Sequence, residues 1–462
     1  MPEVLFRLQF CKVSVWLIFF FGFGELAAQP GDPDENTTVT YPSEYFSQFQ
    51  PYSVNDMLQR IPGINLARGG GSSRGGPGSS QGGNRRGLGA GGDQVLINGR
   101  RIAGKENEGS SQLSRIPAGE VDYIEIIRGT SGDLDVRGGT QVINIVLTQD
   151  QARTSFAYEV NLDRALNGEF IPGGKLSATG QRGALSYFLS AEREPRYDFR
   201  DGFETAFNAD GVLAETVKRD SIEDAWPISL VANFGYEFSS NDTANFNLQW
   251  TGNDNDQDTD RVISNFQQGL VSSRVFERDT QPADDDSWEV GGDYMHFFRN
   301  GSRWKTLFII NESENLSVRS RYKVDESLET KDLYLSNSER NKERIVRSSY
   351  IFDYSATQSI EAGIERAQTI LDTSLQLGLL TGTEGGERFG GLAPITDSMG
   401  TVEEMRYEYF AIHNWPINTR MTLETTFLFE DSTISQTGSK ANSRDFNFFR
   451  PKFDYRFDIT PS

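Results

Sequence analysis

Two glycine-rich segments match the spacing of cofactor-binding or catalytic motifs. Residues 87–92 (GLGAGG) fit G-x-G-x-x-G, which lets a backbone approach a pyrophosphate, and residues 78–82 (GSSQG) fit the G-x-S-x-G turn of a serine nucleophile. The first motif needs a strand before it and a helix after it, and the second also needs a downstream histidine as base. Both segments lie in residues 67–92, which contain 12 glycines, so we attribute the matches to composition.

Histidine and cysteine are nearly absent. His296 and His413 are the two histidines among 462 residues, and Cys11 is the one cysteine. So small a number of histidines argues against imidazole-based catalysis and nearly excludes a multi-histidine metal site. We therefore predict a protein that is not an enzyme and that has neither a cofactor nor a resident metal.

Aspartate occurs at every second position from Asp254 to Asp260, as at the start of a calcium-binding loop. Such a loop requires glycine at its sixth position and glutamate at its twelfth, where this chain has Thr259 and Asn265. We interpret the run as part of an acidic outer loop that binds surface divalent cations weakly.

Charge and hydropathy exclude two further classes. The chain has 66 acidic and 45 basic residues, a net charge of -21, and a nucleic-acid-binding protein needs a clustered surplus of Lys and Arg. After residue 25 there is no apolar run long enough for a membrane-spanning helix. A membrane β-barrel stays possible, because alternate residues of its strands face a polar interior.

The N-terminus has the pattern of an export signal. Arg7 and Lys12 are followed by Val13–Phe23, an apolar run of 11 residues, and then by small residues at Ala27 and Ala28. A run of this length is typical of the apolar region of a signal peptide and too short to span a membrane. We predict that residues 1–28 are removed on export and that residues 29–45 form a flexible N-terminus.

Residues 46–150 predict a small α+β domain. Ser53 is a candidate N-cap for a helix whose apolar face contains Val54, Met57, Leu58 and Ile61, and Pro62-Gly63 ends it. The glycine-rich residues 67–92 cannot pack a core and predict a loop. Three short strands follow, at Gln94–Asn98, Asp122–Arg128 and Val142–Leu147.

From about residue 153 the pattern changes to strands of alternating apolar and polar residues. The clearest examples are Thr154–Leu162, Leu230–Phe238, Ala244–Trp250, Met421–Phe429 and Phe449–Ile459. Segments of about nine to eleven residues with aromatic ends are typical of membrane barrels, although a soluble β-sandwich also alternates. The segment lengths, the ionised polar face and a long polar loop over 251–286 favour the barrel.

Residues 54–149 resemble the plug domain of TonB-dependent outer-membrane receptors. The matching segments keep the order of the family's motifs. They are Val54–Ile64 (VNDMLQRIPGI), Arg86–Leu88 (RGL), Val95–Gly99 (VLING), Ile116-Pro117, Val121–Gly129 (VDYIEIIRG) and Arg137–Val146 (RGGTQVINIV).

The resemblance implies a fold and a mechanism. The family has a 22-stranded membrane β-barrel with a small α+β plug in its lumen. Its N-terminal Ton box pairs, by strand addition, with a TonB-type energy transducer in the periplasm. Our candidate Ton box is the β-branched segment Thr37, Thr38, Val39, Thr40 and Tyr41. Glu125 and Arg128 resemble the plug residues that make ionic contacts with the barrel wall.

The glycine-rich loop is the candidate ligand-facing part of the plug. Residues 67–92 contain four arginines and no acidic residue. Guanidinium groups bind anionic ligands such as ferric chelates through paired hydrogen bonds. The four residues are Arg68, Arg74, Arg85 and Arg86.

Residues 151–462 are short for the family's barrel. At about two dozen residues for each strand and loop they predict 12–14 strands, which led us to expect a truncated barrel. The sequence predicts a receptor in the outer membrane of a Gram-negative bacterium, in contact with its lipid, that takes up a scarce small molecule. A ferric siderophore or similar chelate is the preferred ligand. A glycan or vitamin receptor, or a surface-binding protein without transport, are the alternatives.

Overall fold

A computed structural model describes residues 38–49, 51, 53–61, 94–97, 100–101, 113, 116, 118–127, 142–148, 154–325, 328–355, 357–382, 385–418 and 420–457. They form a small domain around a five-stranded sheet and one large sheet of fourteen strands. No helix in these ranges is both long and apolar enough to cross a membrane.

The small domain places its strands in the order β1-β4-β5-β2-β3. Only β2 and β5 pair in parallel, and the other neighbours are antiparallel. Its elements are β1 (Thr38–Pro42), α1 (Ser43–Ser47), α2 (Val54–Leu58), β2 (Gln94–Ile97), β3 (Arg100–Arg101), a 3₁₀ turn (Ala118–Glu120), β4 (Val121–Ile127) and β5 (Val142–Leu147).

The helix predicted after Ser53 is confirmed as α2, which is shorter than the apolar spacing suggested. The Ser53 hydroxyl accepts a hydrogen bond from the Asp56 amide at 3.3 Å, and the Asp56 carboxylate accepts one from the Ser53 amide at 3.1 Å. This reciprocal cap satisfies two amide groups that the first helical turn leaves free. It directs Met57 and Leu58 into the core, where each is at most 1% exposed.

The core of the small domain lies between α2 and the apolar faces of β4 and β5. Ile124 and Ile145 are fully buried there, close to Leu58. Phe188 of the large sheet packs against the same cluster. The two sheets are therefore in contact through apolar side chains.

The large sheet is antiparallel throughout. Within the described residues its end strands β6 and β19 each have one neighbour, so the sheet is not closed. Its strands are β6 (Thr154–Arg164), β7 (Phe170–Arg182), β8 (Leu185–Arg193), β9 (Arg196–Phe207), β10 (Leu213–Ala225), β11 (Ile228–Ser239), β12 (Asp242–Gln267), β13 (Leu270–Phe297), β14 (Arg303–Asp325), β15 (Leu328–Ser355), β16 (Gln358–Leu379), β17 (Ala393–Asn418), β18 (Met421–Gly438) and β19 (Asn442–Phe457).

Two pairs of these strands are single passes interrupted at a proline. Glu194-Pro195 separates β8 from β9, and Trp226-Pro227 separates β10 from β11. Proline has no N–H to donate to a neighbouring strand, so the ladder breaks there. The N-terminal half of β12 accordingly pairs with β11, and its C-terminal half pairs with β10. We describe positions toward the C-terminal end of β12 as upper or above, and those toward its N-terminal end as lower or below. Within the described residues the chain crosses the sheet twelve times, which agrees with the 12–14 strands predicted.

The predicted polar loop over residues 251–286 is wrong. These residues belong to β12 and β13, which pair along their whole length and turn tightly at Gln268-Gly269, both with positive φ. The alternation continues there with Asp, Asn, Gln and Thr, so polarity hid a regular strand. The predicted length of nine to eleven residues is also too short, since β13 and β15 have 28 residues each.

The two faces of the large sheet differ in the exposure of their apolar side chains within one band that runs across the strands. We call the face that carries exposed apolar and aromatic residues the outer face, and the other the inner face. The outer-face residues of this apolar belt, 38–63% exposed, include Leu230, Phe246, Leu248, Trp250, Trp288, Ile310, Val346, Ile364, Tyr409, Phe427, Phe429, Phe449 and Phe453. On the inner face at the same level, Ile309, Ile345 and Ala367 are at most 4% exposed.

Leu58→Ala is expected to destabilise the small domain by about 2–5 kcal/mol, because it leaves a cavity in a core that cannot fully collapse. Limited proteolysis of the full-length protein, followed by mass spectrometry, should show faster cleavage within residues 38–148. Phe49→Ala, at a side chain that is 38% exposed, is the matched control and should leave the cleavage rate near that of the wild type. Equal rates in both variants would contradict the assigned core.

Candidate functional site

The candidate Ton box is an edge strand of the small domain. Residues 38–41 lie in β1, which pairs antiparallel with β4 from Thr38 opposite Ile127 to Pro42 opposite Tyr123. Strand addition predicts a segment that is extended and unpaired. It is extended, but one side is paired, because β-branched residues meet the free edge of β4. Thr37 lies outside the described residues.

The other side of β1 has no neighbouring strand in the part of the chain that the structure describes. Val39 is 44% exposed and Thr40 is also exposed, whereas Tyr41 turns inward. The Tyr41 ring lies 5.2 Å from Tyr45 and 6.3 Å from Phe46, measured between ring centroids. An exposed edge of this kind can accept a further strand through its backbone groups.

Of the other residues that the sequence predicted as site residues, Glu125 is the one that lies within the described part of the chain. Glu125 lies on β4, and its carboxylate accepts a hydrogen bond at 2.8 Å from the side chain of Asn144 on β5. Its observed partner is thus within the small domain and not on the large sheet. Arg128 and the four loop arginines Arg68, Arg74, Arg85 and Arg86 lie outside the described residues.

The inner face carries a buried ionic network at the level of the apolar belt. Glu365 on β16 is fully buried and forms ion pairs with Arg347 on β15 and with Arg406 on β17, the latter at 3.0 Å. Arg406 also lies 3.3 Å from Glu408. The Arg347 guanidinium is 5.3 Å from the centre of the Phe410 ring. Charges in such a position persist only when each has a partner.

Phe410 reaches this network because position 363 has no side chain. A Cβ atom at Gly363 would lie 2.5 Å from Phe410 Cζ and 2.5 Å from the backbone oxygen of Ser348. Glycine therefore lets the ring lie flat against β16, beside Arg347. This network was not predicted from the sequence. Its signal was present in the charged residues that occupy the polar positions of alternating strands.

A second ionic cluster lies on the inner face far above the belt. Asp279 is 5% exposed, accepts two hydrogen bonds from Arg319 Nε at 2.9 and 3.0 Å, and lies 3.1 Å from Arg261 Nη1. Asp332 accepts hydrogen bonds from Arg321 at 2.9 and 3.0 Å and lies 3.5 Å from Lys323. We call these six residues the upper ion cluster.

Burial alone would raise the pKa of the Asp279 carboxyl, but the hydrogen bonds from Arg319 and Arg261 outweigh it. The net pKa therefore lies below the ordinary value. The same hydrogen bonds raise the pKa of Arg319, against the opposing effect of burial.

The aspartates from Asp254 to Asp260 lie on β12 and not in a loop. They share the outer face with the belt but lie above it, and Asp254 is directly opposite Asp284 on β13. Burial and the neighbouring Asp254 raise the pKa of Asp284, and burial and Asp256 raise the pKa of Asp258. Within the described residues no group of three or more His, Cys, Asp or Glu side chains is arranged to hold a metal ion.

The small domain matches a known family. Residues 33–142 correspond to the family described as TonB-dependent Receptor Plug Domain. This part of the chain is a plug domain of the TonB-dependent receptor type. The resemblance proposed from the ordered motifs is confirmed, and so is the fold class of a small α+β plug with a large antiparallel sheet.

Solved receptor structures show distant likenesses to the chain. The siderophore receptor PiuA from Acinetobacter baumannii is 11% identical, with a TM-score of 0.44, over 92% of this chain and 63% of PiuA. The ferric-catecholate import receptor Fiu from E. coli K12 is 11% identical, with a TM-score of 0.32, over 92% and 82%. The ferric enterobactin receptor PfeA from Pseudomonas aeruginosa is 10% identical, with a TM-score of 0.27, over 93% of each. This chain spans less than two thirds of PiuA.

Glu365→Gln is expected to destabilise the receptor by about 3–5 kcal/mol, because it leaves Arg347 and Arg406 buried without their shared counter-charge. The measurement is urea unfolding of the full-length receptor in phospholipid vesicles. Glu329→Gln, which removes the exposed Arg278–Glu329 pair, is the matched control and should change stability by at most about 1 kcal/mol. Equal effects of the two changes would refute the network's special role.

The pKa of Asp279, below about 3.9, makes its ion pairs stabilising above that pH. That contribution is lost as the pH falls through the lower pKa of the folded state. Asp279→Asn should therefore reduce the loss of unfolding free energy between neutral pH and about pH 3. Parallel urea titrations at both pH values measure this, with Asp210→Asn in the exposed β9–β10 loop as control. A wild-type-like pH dependence in Asp279→Asn would contradict it.

Proposed function

We propose that this receptor imports a scarce small molecule across the bacterial outer membrane, with energy supplied by a TonB-type periplasmic transducer. The exposed edge of β1, within the family's plug domain, is the observation that carries the proposal. Export by a signal peptide over residues 1–28 and a place in the outer membrane belong to the same proposal.

The apolar belt supports a membrane location for the large sheet. Its residues lie at equivalent heights on neighbouring strands, with Trp250 opposite Trp288 and Tyr409 opposite Phe429. A belt of this kind matches the ~25 Å apolar band of outer-membrane strands. The 26 residues of β12 extend roughly 85 Å at about 3.3 Å each, so its polar upper half would project outside the membrane.

The edge of β1 supports strand addition as the mode of coupling. A transducer strand on its free side would extend the plug sheet in the order transducer-β1-β4-β5, held by backbone hydrogen bonds. A pull on that strand acts on β1 first. The chain passes directly from β1 into α1, whose residues Tyr45 and Phe46 pack against Tyr41. Strand pairing explains how a partner can transmit force without a deep binding pocket.

The preferred ligand is an anionic ferric siderophore or a similar chelate. The four arginines of residues 67–92 remain the sequence-based support for it. The upper ion cluster adds Lys323, whose side chain is 57% exposed, and partly exposed Arg261 and Arg319 on the inner face. Cations at this height, above the belt, would meet a ligand that enters from outside the cell.

Val39→Pro is expected to reduce ligand uptake at least about tenfold, because proline removes a backbone N–H and breaks strand pairing. Binding of the ligand to the purified receptor should stay unchanged, since β1 contains none of the residues proposed to contact the ligand. Val39→Thr, which keeps the N–H and a β-branched side chain, is the matched control. The measurement is uptake of ⁵⁵Fe-labelled chelates into cells with and without the transducer.

Two outcomes would overturn the proposed function. Uptake that is equal in the presence and absence of the transducer would exclude energy coupling. Uptake that is normal in Val39→Pro would exclude β1 as the coupling segment. Binding without any accumulation would instead favour the alternative of a surface-binding protein.

A further inference from the structure

The inner face carries two adjacent rows of polar residues just above the level of the belt. In the upper row, Asn253, Asp285, Asn315 and Glu339 lie directly opposite one another on β12 to β15. The carboxylate of Asp285 accepts hydrogen bonds from both flanking amides, that of Asn253 at 3.4 Å and that of Asn315. The row is therefore fixed in place by its own cross-strand contacts.

The lower row consists of small side chains. Thr251, Ser287 and Ser313 lie directly opposite one another on β12, β13 and β14. The next row toward the belt is large again, with Gln249, Glu289 and Asn311 in register. Small residues between two rows of larger ones leave a concavity of about 260 Å³. Its volume is just under the ~300–1,000 Å³ of sites for drug-sized ligands, so it suits a fragment of one ring.

We call this concavity on the inner face the inner-wall pocket. Its lining has both hydrogen-bond donors and acceptors. In the described part of the chain, none of the three lower-row hydroxyls makes a side-chain hydrogen bond, and Asn253 Oδ1 has no hydrogen-bond partner. Glu339 adds a carboxylate that forms no ion pair there. Neither lysine nor arginine is among the described lining residues.

We propose that the inner-wall pocket binds one ring of a neutral, hydroxyl-rich ligand, that is, a saccharide. A hydroxyl group both donates and accepts, and so matches a wall of hydroxyls, amides and carboxylates. An anionic group would meet no lysine or arginine among the described lining residues and would face four carboxylates, those of Asp285, Asp286, Glu314 and Glu339. The inference rests on the proposed import of a small molecule, and it assigns a saccharide, in place of the anionic chelate preferred above, to this part of the inner face.

The location separates this site from the membrane surface. Most of the pocket's lining residues on β12 to β14 are odd-numbered, with Asp286 and Glu314 as the even-numbered exceptions. The even-numbered Trp250, Trp288 and Ile310 face outward in the belt. A sugar of the lipid headgroups would have to bind on the outer face. A saccharide that enters from the end of the sheet that carries the upper ion cluster would pass that cluster before it reaches the pocket.

The test is calorimetric titration of the purified full-length receptor with maltotriose, cellotriose and chitotriose, and separately with ferric citrate. At least one oligosaccharide should bind. Ser313→Phe, which fills the concavity, should weaken that binding roughly tenfold or more. Ser443→Phe, the same change at an exposed site on β19, should not. Asp285→Asn keeps the shape of the side chain, and should also weaken binding by removing the acceptor that the two amides orient.

Three results would overturn the proposal: no binding of any of the three oligosaccharides, binding that survives both pocket variants, or binding of ferric citrate that is lost in both. None of these measurements involves the transducer. Their failure is therefore separable from a failure of energy-coupled uptake, which the ⁵⁵Fe experiment tests alone. Circular dichroism of each variant shows whether Ser313→Phe folds, and Asp285→Asn provides the second measurement if it does not.

Discussion

Continuous backbone pairing is the constraint on which the large sheet depends. Under the proposed membrane location the strands must pair without interruption where they cross the hydrocarbon, because an unpaired N–H or C=O group costs several kcal/mol there. The register shifts of the sheet follow this rule. They occur near strand ends, as between Asn265 and Phe266, Arg321 and Tyr322, and Asp353 and Ser355, and not among the belt residues. Pro195 and Pro227 also lie outside the belt, whereas Pro451 lies within it, on the end strand β19 opposite Phe427.

Unbroken pairing also fixes which side chains can meet. Residues that are directly opposite on neighbouring strands share a face, so the alternation of each strand adds up to one apolar face and one polar face. The inner face then places charges from three strands together, as with Arg347, Glu365 and Arg406. Such a network stabilises the wall only as a complete set, because each member would be a buried lone charge without the others. The polar rows above it use the same register with neutral groups and single carboxylates, which leaves room for a ligand.

The sequence predicted the parts of the fold that local pattern controls. Ser53 predicted the helix cap, and the alternation of Leu230–Phe238 and Ala244–Trp250 predicted strands with the correct outward residues. It did not predict how far β12 and β13 continue, because Asp, Asn and Gln are typical of loops and only cross-strand pairing reveals them as strands. The inner-wall pocket was also beyond it. Thr251, Ser287 and Ser313 are unremarkable in sequence and become a site only when register places three small residues side by side.

The plug and the large sheet use the same backbone pairing between strands but differ in how firmly their strands are held by neighbours. The long strands of the wall have neighbours on both sides, and together they resist separation. In the plug, β1 has five paired residues and, among the described strands, no neighbour on its other side, while the apolar core lies behind β4, β5 and α2. Local stability follows buried apolar contacts, so an exposed edge strand opens before a packed core. Under the proposed function, a pull on β1 would release the edge of the plug first, while Ile124, Ile145 and Leu58 still hold its core together.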